Sequence, residues 1–175
     1  MKNDNDALIE GFKTGNHESF EKLMIKYRLP AAKFASRYLK DGYAVEEAVQ
    51  ESFAALYVSR DKFNREFSFK TYLFSIVKNK CIDYMRRKTT LPLDDSYISI
   101  APSPETEVII REHRNYVRMK LNQLKEDYRT VLYLKEYENF SYSEIAEIMG
   151  RNLGQIKILI YRARKSLKAM LESEV

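Results

Sequence analysis

The chain has 175 residues, 45% hydrophobic and 31% charged, with a net charge of +5, enough for one domain or two small ones with a real core and, with few glycines and prolines, more suited to helices than to a β-rich fold. A lone cysteine, Cys81, excludes an internal disulfide and fits a reducing compartment. The start lacks an apolar run of signal-peptide type and no stretch approaches transmembrane length, so a cytoplasmic chain without membrane insertion is expected. His17 and His113 lie far apart, and no Cys/His/carboxylate cluster has metal-ligand spacing. Without a nucleophile motif or a phosphate-cradling glycine loop, neither catalysis nor a cofactor is expected. The charge is uneven. Basic residues concentrate in residues 60–88 and 151–168, whereas Asp4, Asp6, Glu10 and Glu18 make the N-terminal stretch acidic. Separate basic zones point to separate contacts with nucleic acid.

Residues 4–13 read as a short helix with Leu8, Ile9 and Phe12 on one side, ended by Gly15 and Asn16. Residues 17–39 continue as a longer helical pattern through Phe20, Leu23, Met24, Tyr27, Ala31, Phe34, Ala35 and Tyr38. Pro30 inside it is expected to kink or split it, and His17 reads as a surface or capping residue. Residues 43–60 form a third helix with Val45, Val49, Ser52, Phe53 and Leu56 facing the core. Its other side holds Glu47, Gln50, Glu51, Ala54 and Val58. That mixture of acid and apolar groups suits a partner protein's helix, with a merely solvated face as the alternative.

An aromatic and charged loop follows at residues 63–69. A fourth helix then runs over residues 69–88, with Leu73, Ile76, Val77 and Tyr84 as its core stripe. Phe67, Phe69 and Phe74 read mostly as core. Tyr72, Asn79, Asp83 and Arg86 repeat on a neighbouring face. Rings that stack on unpaired bases, amides that read base edges and cations that track phosphates are what single-stranded nucleic acid needs.

Residues 89–104 break all periodicity with Pro92, Pro102 and Pro104. They divide the chain into a first domain over residues 1–89, a linker over 90–104 and a second domain over 105–175. The second domain begins with helices over residues 105–124 (Ile110, Val117, Leu121 and Leu124 inward) and 126–137 (Tyr128, Val131, Leu132 and Leu134), broken at Asn139. FSYSEIAEIMG then reads as a short helix, with a capping box from Ser141 and Glu144 and a left-handed C-terminal turn at Gly150. In GRNLGQIKILIYRARKSLKAML, Ile156, Leu159, Ile160, Ala163 and Leu167 face inward, and Lys157, Ile158, Tyr161, Arg162, Lys165 and Lys168 face out. A short helix, a turn and a basic amphipathic helix read as a helix-turn-helix whose second helix enters a DNA major groove. A basic solvated face on a bundle helix is the plainer alternative. The expected architecture is all-α, with two small helical domains joined by a linker and a helix-turn-helix in the C-terminal one.

These residues resemble a bacterial RNA polymerase sigma factor of the two-domain extracytoplasmic-function class. EEAVQESFAALY resembles the segment that binds the polymerase clamp helices. FNREFSFKTYLFSIVKNKCIDYMRRK resembles the part that melts and reads the minus-ten promoter element. LKEDYRTVLYLKEYENFSYSEIAEIMG with GQIKILIYRARKSL resembles the part that reads the minus-thirty-five element. The resemblance covers nearly the whole chain in matching order. It implies that Glu47, Gln50 and Glu51 contact core RNA polymerase, with Phe53 in the core. It further implies that Phe63, Asn64 and Arg65, with Tyr72, Asn79 and Arg86, meet the minus-ten strand. Gln155, Lys157, Ile158, Tyr161, Arg162 and Lys165 then meet the minus-thirty-five duplex. Promoter DNA and an anti-sigma factor are the further partners implied.

The chain departs from the family pattern in places. Tyr72 stands where Trp is frequent. Gln155-Ile156-Lys157-Ile158-Leu159 replaces the usual Thr-Val-Lys-Ser-Arg, which leaves an apolar Ile158 outside, suited to a thymine methyl or to no partner at all. Leu124-Lys125 replaces a usual Leu-Pro. The alternatives are a stand-alone helix-turn-helix transcriptional regulator, or an RNA-binding adaptor.

Overall fold

The computed structural model describes residues 4–63, 66–88 and 108–172. The expected linker at 90–104 lies outside them, as do Asn64 and Arg65. The chain forms two compact units, Met1–Ser99 and Ile100–Val175. All regular structure among the described residues is helical.

The first unit contains α1 (Asp4–Lys13), α2 (His17–Ala35), α3 (Gly42–Val58) and α4 (Phe69–Lys88), with a single 3-10 turn at Arg60–Lys62. Gly15 ends α1 with φ of 80°, and the Asn16 side chain caps α2 by accepting from the Ser19 N–H at 2.9 Å. Gly11 lets α1 and α2 approach closely, since a Cβ there would lie 2.6 Å from the Ser19 Cβ. His17 is exposed and stacks on Tyr57, with ring centroids 5.6 Å apart.

Pro30 does not split α2, which runs unbroken through it. Proline removes the hydrogen bond to the Lys26 carbonyl, but Lys26 is exposed and water can serve that carbonyl. Beyond Pro30, Ala31, Phe34 and Ala35 are fully buried. Phe34 stacks on Phe74 at 4.7 Å, an arrangement that adds about 1 kcal/mol to roughly 2 kcal/mol from burial of each ring. The packing of the helix's second half outweighs the lost backbone bond.

The rest of this core is aromatic as well. Phe12 lies 5.7 Å from Phe20 and 5.5 Å from Phe69. On α3 the buried residues are Ala44, Ala48, Val49, Ser52, Phe53 and Leu56. Val45, expected inward, is only half-buried, because the small Ala44 and Ala48 let the neighbouring helices approach at that edge instead. Ser52 satisfies its buried hydroxyl by donating to the Ala48 carbonyl at 2.6 Å. Leu73, Phe74, Val77 and Cys81 carry α4 into the core.

The second unit contains α5 (Val108–Gln123), α6 (Glu126–Leu132), α7 (Tyr142–Met149) and α8 (Leu153–Glu172). On α5, Leu124 just past its end is buried, Val117 and Leu121 are half-buried, and the side chain of Ile110 lies outside the described residues. Lys120 is buried too, its ammonium 5.4 Å from the Tyr116 ring centroid. The helix expected over 126–137 changes character at Tyr133–Tyr137, where one π-helical turn forms. The Glu138 N–H donates to the Tyr133 carbonyl at 3.1 Å, and the Tyr133 hydroxyl donates to the Glu138 carboxylate at 2.7 Å. Asn139 then breaks the chain direction with φ of 58°, a conformation asparagine tolerates.

Candidate nucleic-acid and partner surfaces

The helix-turn-helix is built by local signals. Ser141 and Glu144 form a reciprocal capping box that starts α7. Gly150 ends it in the left-handed region, at φ of 62°. The Gly150 N–H donates to the Glu147 carbonyl and the Arg151 N–H to the Ala146 carbonyl at 3.0 Å. This pair of bonds is the Schellman motif. A second reciprocal cap starts α8. Asn152 accepts from the Gln155 N–H at 2.8 Å, and Gln155 Oε1 accepts from the Asn152 N–H at 3.1 Å. Sequence reasoning missed it. The signal was there, as Asn followed three residues later by Gln.

Held this way, α8 buries Ile156, Leu159, Ile160 and Ala163 against α5, α6 and α7. Lys157, Ile158, Tyr161, Arg162 and Lys165 are exposed together, over about 12 Å of helix at 1.5 Å per residue. Gln155 is exposed too, but its carbonyl oxygen is committed to the cap, leaving its amide nitrogen to that face. Not every basic residue of the segment is available. Arg151 pairs with Asp127. Arg164 donates through Nε and Nη2 to Glu136 on the π-turn, at 3.0 and 2.5 Å, and that hydrogen bond raises its already high pKa. Lys157, Arg162 and Lys165 make no ion pair or hydrogen bond among the described residues. A face of cations without internal partners suits an external anion.

The neighbouring face of α4 carries Tyr72, Asn79 and Arg86 over about 21 Å of helix. Asn79 and Arg86 are exposed, with Asp83 between them, and Tyr72 is half-buried. The Tyr72 hydroxyl lies 3.4 Å from Ser59 Oγ, and its ring is 5.4 Å from Phe63. Phe63 departs from the expectation of a base contact. It is 4% exposed, packed edge-on against Phe12 and Phe69. Its aromaticity serves the core, immediately before Asn64 and Arg65 in the sequence.

On α3, Glu47 and Gln50 are exposed and Glu51 is half-buried. Glu51 is engaged by Lys80 of α4 at 3.2 Å. Gln50 donates to Glu46 at 3.4 Å, and Arg28 of α2 holds that same carboxylate. Tyr43, which sequence reasoning did not single out, is 82% exposed, and Val58 is 78% exposed. Tyr43, Glu47, Gln50, Ala54 and Val58 follow one another three or four residues apart, so they form one stripe with a large apolar group at each end. Spacing alone would have found Tyr43.

Among the described residues, no group of three or more His, Cys, Asp or Glu is placed to hold a metal ion. No helix there is long and apolar enough to cross a membrane. Cys81 is buried, and burial pushes its thiol up to about 12.

Comparison with known proteins gives a consistent picture. The family model for sigma-70 region 2 matches residues 23–90, and that for sigma-70 region 4 matches residues 114–167. The ECF RNA polymerase sigma-E factor of Salmonella typhimurium is 30% identical over 174 residues, covering 92% of this chain and 91% of the relative. That of Haemophilus influenzae is 28% identical, covering 95% and 94%. Among solved structures, CnrH in complex with the cytosolic domain of CnrY matches with a TM-score of 0.69 at 24% identity, covering 97% of each chain. The sigma factor RpoE in complex with the anti-sigma factor NepR, from Bartonella quintana, matches with a TM-score of 0.69 at 22% identity, covering 90% of this chain and 99% of that one. These structures share the fold.

Proposed function

This chain belongs to the sigma-70 family, in its extracytoplasmic-function class, and on that premise we propose how its surfaces divide the work of transcription initiation. It is a sigma factor that directs initiation, not a stand-alone regulator. The match of residues 23–90 to region 2 gives the first unit a place in that activity rather than in signal sensing.

In our reading the α3 stripe docks on core RNA polymerase through Glu47 and Gln50, flanked by Tyr43 and Val58. Glu51 contributes less directly, since Lys80 already holds it. The α4 face, with Tyr72, Asn79 and Arg86, receives the unpaired minus-ten strand together with Asn64 and Arg65. Phe63, buried against Phe12 and Phe69, serves the core instead. The α8 face holds the minus-thirty-five element as duplex, with Lys157, Arg162 and Lys165 on phosphates or guanine edges and Gln155, Ile158 and Tyr161 beside them.

The observation that carries this division is a contrast between exposed faces. One on α3 is acidic and apolar, and one on α8 is cationic with no internal partner for Lys157, Arg162 or Lys165. The first repels DNA and the second attracts it. Extruding a base from the duplex costs a few kcal/mol. Holding both promoter elements in one complex makes the second contact intramolecular, so weak individual contacts suffice. We assign no catalytic step to the chain and place its work in the cytoplasm. An anti-sigma factor covering the DNA-facing surfaces is the expected means of control, in line with the anti-sigma factor bound to the Bartonella quintana relative.

The test is transcription of genomic DNA by bacterial core polymerase with and without the chain, followed by mapping of RNA 5′ ends. Discrete start sites that need the chain, and vanish with Glu47→Lys, are expected. Start sites that persist with Glu47→Lys would remove the α3 assignment.

A further inference from the structure

We propose that Ile158 determines promoter specificity by reading the 5-methyl group of a thymine, an inference that rests on α8 holding the upstream duplex. Ile158 is 53% exposed on a face otherwise dominated by Lys157, Arg162 and Lys165. A helical side chain leans back over the turn N-terminal to its own Cα. Four residues before Ile158 stands Gly154, which has no side chain to cover that spot. A Cβ built on Gly154 would meet only Asn152 Oδ1, at 3.4 Å, so the space above it is open apart from the cap. Isoleucine in a helix keeps essentially one χ1 rotamer. Ile158 therefore offers a rotamerically fixed aliphatic surface with no side chain at residue 154 to cover it. It lies in the early part of the recognition helix, the part that meets base edges in helix-turn-helix complexes.

In the major groove, thymine alone presents a methyl group. The other base edges present donors or acceptors, and an aliphatic group set against those would desolvate them without giving a partner. The exposed isoleucine thus matches a single base. Burying one methyl group is worth about fourfold in affinity. The neighbouring cations supply most of the binding, and Ile158 supplies part of the choice.

The experiment uses core polymerase with the full chain and a promoter library randomised across the upstream element. The wild-type chain should select thymine at one position, and Ile158→Ser should lose that selection. At that position, deoxyuridine in place of thymidine removes only the methyl group. It should reduce initiation about fourfold with the wild type and leave Ile158→Ala unchanged. 5-Methylcytosine in place of cytosine there should restore part of the activity, again only with the wild type. Equal use of thymidine and deoxyuridine at every position by the wild type would overturn the inference. So would an equal deoxyuridine loss in Ile158→Ala. A polymerase complex indifferent to the entire upstream sequence would instead overturn the assignment of α8 to that duplex, and the methyl reading with it.

Discussion

Replacing Gly150 by Ala isolates the energy of the turn between α7 and α8. Gly150 sits at φ of 62° and ψ of 40°, and nothing lies within 4 Å of a Cβ added there. The substitution therefore carries no steric cost from neighbours, only the backbone cost of a left-handed L-residue, about 1–2 kcal/mol. Alanine restricts the unfolded chain more than glycine does, which offsets part of this, so a net loss of about 1 kcal/mol is expected. Hydrogen exchange at the amides of the buried Ile145, Ile156 and Ile160 reports the opening of the second unit alone. Exchange there should speed up about fivefold in Gly150→Ala, the rate equivalent of 1 kcal/mol. Gly150→Asn should fall between, since asparagine tolerates this region. Exchange in α2 and α4 should not change. An alanine variant as protected as the wild type would refute the reasoning, because it would mean that the turn does not need its left-handed residue.

Gly11→Ala should destabilise the first unit by about 1–3 kcal/mol through overpacking against Ser19, read as a lower midpoint in urea, while α8 amide exchange stays unchanged. Cys81 should resist alkylation at pH 8 until the chain unfolds, because burial pushes its thiol up to about 12 from 9.0. The folded state keeps that proton where the unfolded state loses it, so this group leaves stability unaffected below about pH 9 and lowers it above. Glu47→Lys should weaken polymerase binding without changing the melting temperature. Glu51→Lys should also lower stability, by up to about 1 kcal/mol, because it loses the half-exposed Lys80 pair; pull-down and thermal unfolding separate the two. Lys165→Ala should reduce the slope of log affinity against log salt for promoter duplex by about 0.9, the share of one phosphate contact.

What the sequence revealed depended on how local the determining physics was. The bounds of α4, the capping box at Ser141, the Gly150 turn and the buried stripe of α8 all follow from spacing and cap chemistry within a few residues. Pro30 does not split α2 because its cost is local, while the compensating burial of Phe34 against Phe74 comes from another helix. Phe63 is settled by distant residues as well, since an aromatic loop residue looks available until Phe12 and Phe69 close on it. The roles of Glu51 and Arg164 were hidden likewise. Each charge is partly committed, to Lys80 and to Glu136 respectively, and long-range ion pairs leave no periodic trace. The π-turn at Tyr133–Tyr137 also had no sequence signal, yet it carries the carboxylate that orients Arg164.

The division of surfaces is tested most directly by permanganate footprinting of a promoter bound by core polymerase with this chain. Permanganate oxidises thymines that are unpaired. Reactive thymines are expected around the minus-ten element only when core enzyme and chain are both present, with reactivity lost on combined Asn79→Ala and Arg86→Ala substitution and the upstream element protected throughout as duplex. Opening by core enzyme alone, or opening that survives the combined substitution unchanged, would contradict it.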